Sequence, residues 1–136
     1  MLAFDYKGDA YPCQRYMETS TGNEYPLYII GNLESGINQI EEHKNRISCL
    51  ECITRRTQST DECFYCPIAM GCAWCSAYNY EVFGTPDKRT TFICDMHKAR
   101  SLANVYYWRK KGIDFPLNCP KDWAVEIIGE EEFNKL

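Results

Sequence analysis

Nine cysteines stand in this chain of 136 residues, and six of them form three Cys-x-x-Cys pairs. With two residues between them, a single tight turn can aim both thiolates at a common centre, and backbone N–H groups can hydrogen-bond the sulfurs. The pairs are Cys49/Cys52, Cys63/Cys66 and Cys72/Cys75, and the other cysteines are Cys13, Cys94 and Cys119. Three linked pairs, followed by a cysteine at a predicted helix start, indicate metal or cluster ligation rather than inert thiols or redox disulfides.

The spacing of the pairs leaves the kind of metal open. Zinc ribbons favour two pairs separated by about 15–20 residues. Here 10 residues separate Cys52 from Cys63, and 5 separate Cys66 from Cys72. The residues around the tighter gap are mostly apolar or aromatic. Such a shell suits an iron–sulfur cluster, whose potential depends on burial and on N–H···S bonds, and it would also suit a buried structural zinc.

Composition and charge exclude several classes of protein. The formal net charge of −4 argues against nucleic acid as the main partner. No hydrophobic run reaches the ~20 residues that a membrane span needs. The charged start, with Asp5, Lys7 and Asp9, indicates that there is no signal peptide. Nine is an odd number, so the cysteines cannot all pair as internal disulfides. Without a secretion signal, we expect a cytoplasmic chain that uses its clustered thiols as ligands.

An N-terminal β-hairpin is the first element that must position these cysteines. Hydrophobic residues alternate from Leu2 to Tyr6, Lys7-Gly8-Asp9 predicts a turn, and residues 10–16 read as the second strand. A further turn is predicted at Thr21-Gly22-Asn23, and a short third strand at Tyr28-Ile29-Ile30. Since the chain begins almost inside its first hairpin, we expect it to be the C-terminal part of a longer protein.

Helices and a loop are predicted for the rest. Residues 33–56 read as mostly helical from Glu34 or Ser35, with Ile37, Ile40 and Ile47 on the buried side. Residues 57–89 are rich in Cys, Gly and aromatic residues and lack sustained periodicity, which favours a loop folded around a bound group.

A closing helix is predicted from Cys94 to Lys111, with Gly112 as its stop. Its predicted buried face consists of Met96, Ala99, Ala103, Tyr106 and Tyr107. No element is predicted for residues 113–136.

Six aromatic residues, three of them on the closing helix, could line a peptide groove. We favour a place in the core for them, because the chain is short of aliphatic residues. That set is Trp74, Tyr78, Tyr80, Tyr106, Tyr107 and Trp108.

The run Cys63-x2-Cys66-x5-Cys72-x2-Cys75-x18-Cys94 resembles the SPASM domain, the C-terminal extension of radical SAM enzymes that modify peptides and proteins. That family shows Cys-x2-Cys-x5-Cys-x3-Cys-x17-Cys and an upstream Gly-x4-Cys, which the segment from Gly8 to Cys13 matches. In this chain two residues instead of three separate Cys72 from Cys75, and 18 residues instead of 17 separate Cys75 from Cys94. The resemblance covers residues 2–111, and residues 66–80 and 89–100 further resemble maturases whose targets carry repeated Cys-x-x-x units.

The resemblance implies a division of the cysteines between two auxiliary [4Fe–4S] clusters. The cysteines implied for one cluster are Cys63, Cys66, Cys72 and Cys94. Cys13 and Cys75 match ligands of the other cluster, whose remaining ligands in the family would fall before Met1.

Four residues outside that pattern have two readings each. Cys49 and Cys52 either complete the cluster of Cys13 or are buried helix thiols. His97 follows Cys94 by two residues and is either a zinc ligand or a packing residue of the first helical turn. Cys119, beside a proline, is either a ligand or a lone thiol, and we predict a lone thiol.

The sequence therefore predicts a small, cysteine-rich, metal- or cluster-stabilised α+β domain over residues 1–112, with a tail over residues 113–136. It has an N-terminal β-hairpin followed by helices around a cluster-binding loop. Ligation should contribute to its stability, because binding free energy becomes folding free energy when the apo site is not preformed.

By resemblance, the expected function is binding one auxiliary [4Fe–4S] cluster, or two, beside a radical SAM barrel in the same or a separate chain. The partner would be a Cys-containing precursor peptide that receives a thioether cross-link. No catalytic residue is predicted, since Cys-x3-Cys-x2-Cys, the radical SAM motif, does not occur here. The alternative is a structural zinc-binding interaction module. A thiol–disulfide oxidoreductase is less favoured, because it would use one exposed Cys-x-x-Cys beside a βαβ pattern.

Overall fold

A computed structural model describes residues 1–22, 24–72 and 74–136. The chain divides into two compact units. The first unit comprises residues 1–60 and 74–90, and the second comprises residues 61–73 and 91–136. The described residues form a small antiparallel sheet and a larger set of helices, which confirms the predicted α+β class.

The first unit contains the sheet, whose strands are β1 (Ala3–Phe4), β2 (Asp9–Tyr11), β3 (Gly31–Asn32) and β4 (Gly36–Ile37). They pair antiparallel in that order, with Ala3 opposite Tyr11 and Ala10 opposite Gly31. The turn between β1 and β2 closes through a hydrogen bond from the Gly8 N–H to the Asp5 carbonyl at 3.0 Å. Gly8 has a φ of +83°, which a glycine adopts without steric cost. The predicted N-terminal hairpin is confirmed.

The second strand is shorter than predicted. It ends at Tyr11, and Gln14–Tyr16 forms a 3-10 helix instead. The physical reason is Pro12, which has no N–H to donate to a neighbouring strand. The third strand lies at Gly31–Asn32 rather than at residues 28–30, although the Ile30 N–H still donates to the Ala10 carbonyl at 2.8 Å. The turn predicted at Thr21-Gly22-Asn23 includes Asn23, which lies outside the described residues.

The first long helix begins later than predicted. Helix α1 spans Glu41–Glu51, and not residues 34 onward. Gly36 and Asn38 have φ angles of +88° and +66°, which a right-handed helix cannot contain, and Gly36 lies in β4. Ile37 and Ile47 pack against the core as predicted, whereas Ile40 is 52% exposed. A short helix α2, Arg55–Gln58, follows α1.

The core of the first unit is built largely from tyrosines. Its buried members are Ala10, Tyr11, Tyr16, Tyr28, Ile30, Ala77 and Tyr80. Ring centroids of Tyr28 lie 5.0 Å from those of Tyr16 and 4.9 Å from those of Tyr80. Helix α4 (Ser76–Phe83), which the sequence did not predict, supplies Ala77 and Tyr80 and ends at Gly84 with a φ of +69°. Tyr80 is thus in the core as predicted.

The second unit contains α3 (Asp61–Phe64), α5 (Cys94–Lys110), α6 (Lys121–Ile128) and α7 (Glu130–Phe133). Helix α5 begins at Cys94 as predicted, and Gly112 follows it with a φ of +79°. Its buried residues are His97, Leu102 and Val105. The predicted face is wrong, because Met96 and Tyr106 are 60% and 46% exposed.

Besides Tyr106, three more of the six aromatic residues predicted to lie in the core are exposed to solvent. Tyr107, Trp108 and Trp74 are exposed, so the prediction that they belong to the core is wrong. Residues 113–136, for which no element was predicted, carry α6 and α7. The Arg109 guanidinium holds this segment to α5 through the carbonyl oxygens of Phe115 at 3.0 Å and Leu136 at 2.9 Å. Within the described parts of the chain, no helix is both long enough and apolar enough to cross a membrane.

Candidate metal centres

Cys63, Cys66, Cys72 and Cys94 of the second unit lie in helix α3, in the loop that follows it and at the start of helix α5. Cys63 lies in α3, Cys66 follows two residues after that helix ends, and Cys94 is the first residue of α5. Between Cys66 and Cys72 the chain folds in consecutive turns. The Ala69 N–H donates to the Cys66 carbonyl at 2.9 Å, and the Gly71 N–H donates to the Ile68 carbonyl at 3.0 Å. All four cysteines are half-buried.

The electrostatics of Cys94 show that these thiols share one neighbourhood. Burial raises the pKa of the Cys94 thiol, and the sulfurs of Cys72, Cys63 and Cys66 raise it further, whereas Lys98 lowers it. Negative charge on four sulfurs this close is mutually unfavourable, and a bound cation would offset it. These are the four cysteines that the SPASM resemblance assigns to a single cluster.

Two features of α5 favour an anionic, sulfur-rich centre at this place. Cys94 is at the N-terminus of a 17-residue helix, where unpaired N–H groups carry partial positive charge. Farther along, the Arg100 Nη2 donates to the Gly71 carbonyl at 2.8 Å, and this bond ties the helix to the residue directly before Cys72.

A cavity of about 290 Å³ opens beside this group, within the same unit. Ile68, Met70 and Gly71 line one part of it, and His97 and Arg100 line another. His97 is only 4% exposed, and its backbone N–H donates to the Ile93 carbonyl at 3.2 Å. The histidine that the sequence offered as an alternative ligand is therefore buried in the first turns of α5, next to the cysteine loop.

Four more cysteines, all in the first unit, form a second group. Cys13 directly precedes the 3-10 helix, and Cys75 directly precedes α4. Both pack against the tyrosine core. Cys49 lies in the last turns of α1, and Cys52 caps the C-terminus of that helix. Cys49 is half-buried and Cys52 is exposed, so the reading of Cys52 as a buried helix thiol is wrong. The third and fourth cysteines of the run, Cys72 and Cys75, thus fall in different units.

The side chain of Tyr16 connects three members of this second group. It is 1% exposed, and its hydroxyl has no hydrogen-bond partner of ordinary geometry among the residues that the structure describes. Burial raises the pKa of Tyr16 strongly, the nearby Ser76 hydroxyl lowers it, and the sulfurs of Cys13, Cys75 and Cys49 raise it again. The phenol oxygen therefore lies among thiols that belong to three separate elements.

Cys49 is held from its other side by Tyr28. Burial raises the pKa of the Cys49 thiol, Asp87 and Cys52 raise it further, and the neighbouring Tyr28 hydroxyl lowers it. Tyr28 donates its one hydroxyl proton to the Arg46 carbonyl at 2.9 Å. Cys119 lies in the second unit, before α6, and burial raises the pKa of its thiol as well.

Neither group is arranged as a finished coordination site. Within residues 1–22, 24–72 and 74–136, no three His, Cys, Asp or Glu side chains stand close enough together to hold a metal ion. The thiols of each group are neighbours but do not converge on one point. Their side chains would therefore have to rotate toward a common centre when a metal binds. That is the behaviour of sites in which ligation and folding are coupled.

No family model, no curated protein and no solved structure matches this chain. The grouping of the cysteines therefore depends on their spacing and on their placement in the two units. The sequence analysis missed Tyr16 and Tyr28 as neighbours of the thiols. A signal was present for the first of these, because Tyr16 follows Cys13 by three residues, the distance at which a single helical turn stacks two side chains.

Proposed function

We propose that this chain binds a [4Fe–4S] cluster through Cys63, Cys66, Cys72 and Cys94, as the auxiliary-cluster domain of a cytoplasmic radical SAM peptide maturase. The observation that carries the proposal is the position of Cys94 at the start of α5, with its thiol within the electrostatic reach of the other three. The family resemblance selects the same four residues without reference to the structure.

The fit between these residues and a cluster has a chemical basis. Cysteine thiolates are the usual ligands of [4Fe–4S] clusters, and a bound cluster supplies a one-electron carrier whose potential depends on burial and on hydrogen bonds to sulfur. The N-terminus of α5 would place partial positive charge near such a cluster, and the loop that carries Cys66 and Cys72 contributes the apolar residues Ile68 and Ala69. Arg100 keeps that loop in place through the Gly71 carbonyl.

The chain's part in the proposed reaction is electron transfer or positioning, and not radical generation. Because it has no Cys-x3-Cys-x2-Cys motif, we assign SAM cleavage to a barrel in the same or a separate polypeptide. The substrate in this proposal is a Cys-containing precursor peptide that receives a thioether cross-link.

One observation favours a second candidate, a structural zinc-binding interaction module. His97 is 4% exposed and lies one turn after Cys94, so an imidazole could replace one thiolate in a Cys₃His site. The two candidates predict different metals in the same group of residues.

Metal analysis of the reconstituted chain separates the candidates. The full chain is purified anaerobically and offered iron with sulfide, or zinc, and iron, acid-labile sulfide and zinc are then measured together with the absorption spectrum. We expect Cys63→Ser/Cys66→Ser to lose about four iron and four sulfide per chain, while Cys119→Ser keeps the wild-type content. Stoichiometric zinc that iron and sulfide do not displace, and that His97→Ala releases, would replace the cluster proposal by the zinc module.

A further inference from the structure

The first unit carries its own complete set of four thiols, separate from the group around Cys94. We infer that Cys13, Cys49, Cys52 and Cys75 form a second, self-contained four-thiolate metal centre, to which the Tyr16 hydroxyl donates a hydrogen bond. The resemblance to SPASM domains accounts only for Cys13 and Cys75 and would seek the other ligands upstream. The fold supplies them from α1 instead.

The tyrosine core brings the three contributing elements together. Cys13 and Cys75 both pack against it, at the starts of the 3-10 helix and of α4, which contact each other. Helix α1 reaches the same core through Ile47 and Leu50, the residues on either side of Ser48 and Cys49. Cys52 follows Cys49 by three residues at the end of α1, and this spacing places two side chains on one face of a helix.

The buried hydroxyl of Tyr16 is the independent sign of a missing partner. A buried O–H without an acceptor destabilises a fold, yet this side chain is 1% exposed and its hydroxyl lies among Cys13, Cys75 and Cys49. Metal-bound sulfur accepts hydrogen bonds, and such bonds tune the metal that the sulfur ligates. Closing the thiols around a metal would give the hydroxyl the acceptor that it lacks in the described residues.

The ligand set determines the class of metal. Four thiolates with no oxygen or nitrogen ligand select zinc or an iron–sulfur cluster over magnesium, calcium or manganese. The inference does not depend on the proposed function, because Cys63, Cys66, Cys72 and Cys94 lie in the other unit.

Matched double variants of the full chain test the inference. Iron, sulfide and zinc are measured after anaerobic reconstitution with each metal in turn, for Cys49→Ser/Cys52→Ser, Cys63→Ser/Cys66→Ser and Cys119→Ser. We expect Cys49→Ser/Cys52→Ser to halve the bound metal, whichever metal fills the site, and Cys119→Ser to leave it unchanged. Wild-type metal content in Cys49→Ser/Cys52→Ser would overturn the inference.

The same variants distinguish this inference from the proposed function. If only the proposed function fails, Cys63→Ser/Cys66→Ser keeps all the bound iron and sulfide, or loses only the zinc that His97→Ala also releases, and Cys49→Ser/Cys52→Ser still loses the metal of the second centre. If only the inference fails, Cys49→Ser/Cys52→Ser keeps all the bound metal and Cys63→Ser/Cys66→Ser loses all of it.

Thiol protection in the unmutated protein keeps the test valid should a double variant fail to fold. The metal-loaded and the metal-stripped chain are treated with N-ethylmaleimide, and the modified cysteines are identified by mass spectrometry. Metal should slow the alkylation of Cys13, Cys49, Cys52 and Cys75 at least tenfold relative to the metal-stripped chain. Equal rates for Cys49 and Cys52 with and without metal would overturn the inference.

Tyr16→Phe, which removes only the hydroxyl group, tests the role of Tyr16. In Tyr16→Phe the second centre should lose metal to a chelator several times faster than in the wild type. Tyr80→Phe is the matched control, because the Tyr80 ring lies in the same core but its hydroxyl donates to the Pro26 carbonyl at 2.6 Å. Equal rates in the two variants would remove Tyr16 from the site.

Discussion

The guanidinium of Arg100 donates from Nη2 to the carbonyl oxygen of Gly71 at 2.8 Å. This bond joins the second turn of α5 to the loop that carries Cys66 and Cys72. Cys94 is the first residue of the same helix. Helix α5 therefore positions Cys94 directly, and it positions Cys72 through the hydrogen bond between Arg100 and Gly71. Within the loop, local turns close at Ala69 and Gly71.

We therefore predict that Arg100→Leu weakens metal binding at the Cys94 group without unfolding the chain. A hydrogen bond from a charged donor is worth about 1.5–3 kcal/mol, and less at this exposed position, so metal should dissociate several times faster into a chelator. Lys110→Ala, which removes a charge elsewhere on α5, is the control. An unchanged dissociation rate in Arg100→Leu would mean that the loop is held by the metal alone.

Gly31 is a second position where a small change should have a large effect. A methyl group at Gly31 would lie 2.6 Å from the Ile37 Cα and 2.7 Å from the Gly36 carbonyl oxygen, both of them backbone atoms. Gly31→Ala should thus force β3 and β4 apart and lower the free energy of unfolding by about 1–3 kcal/mol, the usual cost of overpacking. Urea denaturation measures it. Gly22→Ala is the control, since nothing lies within 4 Å of its added methyl group, and equal stability of the two variants would contradict the close contact.

The sequence was most informative where one residue dictates the backbone. Gly8 placed the first turn, and Gly112 the end of α5, because each takes a positive φ. The Cys-x-x-Cys units directed attention to residues 49–75, and their role as ligands stays a prediction. Pro12 also indicates that β2 ends at Tyr11, and this signal is stronger than the one for a strand over residues 10–16.

The errors came from features that only tertiary packing decides. Helical spacing put Met96 and Tyr106 on the buried face of α5, yet the helix buries His97, Leu102 and Val105 instead. Periodicity identifies which residues share a face, but not which face meets another element. The grouping of Cys49 with Cys13 and Cys75 was one of two readings of the sequence, and the sequence could not decide between them, since the choice depends on how α1 packs against a tyrosine core.

Asp5 gives the first unit a defined dependence on pH. Its carboxylate accepts hydrogen bonds from the N–H groups of Lys7 at 2.9 Å and Asp9 at 3.0 Å, and from the Tyr11 hydroxyl at 3.0 Å. Burial raises the pKa of Asp5, but these hydrogen bonds and the Lys7 charge outweigh it, so the pKa lies below its ordinary value. A depressed folded-state pKa stabilises the fold above the unfolded-state pKa of about 4, and the effect disappears as the pH falls through the folded-state pKa.

Asp5→Asn should accordingly have a lower melting temperature than the wild type at pH 6, and the difference should shrink as the pH falls below about 4. Thermal melts monitored by circular dichroism across that range measure the difference. Asp114→Asn, which changes an exposed carboxyl group of the second unit, should show no such trend. A gap between Asp5→Asn and the wild type that stays constant to the lowest pH would exclude the carboxylate as its cause.

The second unit should depend on its metal more than the first. Among the described residues, its buried hydrophobic side chains are Ile68, Leu102, Val105 and Ala124, whereas the first unit has a larger core with four tyrosines. A small core leaves more of the folding free energy to ligation.

Stripping the metal should therefore expose the second unit to protease first. In limited trypsin digestion of the full chain, we expect cleavage after Lys98, Arg100 or Arg109 to speed up at least tenfold once the metal is removed. Cleavage after Arg15 and Arg46, in the first unit, should increase less. Mass spectrometry of the early fragments gives the order of cleavage. If the first unit is cut first, or if metal changes neither rate, then ligation at Cys63, Cys66, Cys72 and Cys94 contributes little to the stability of the fold.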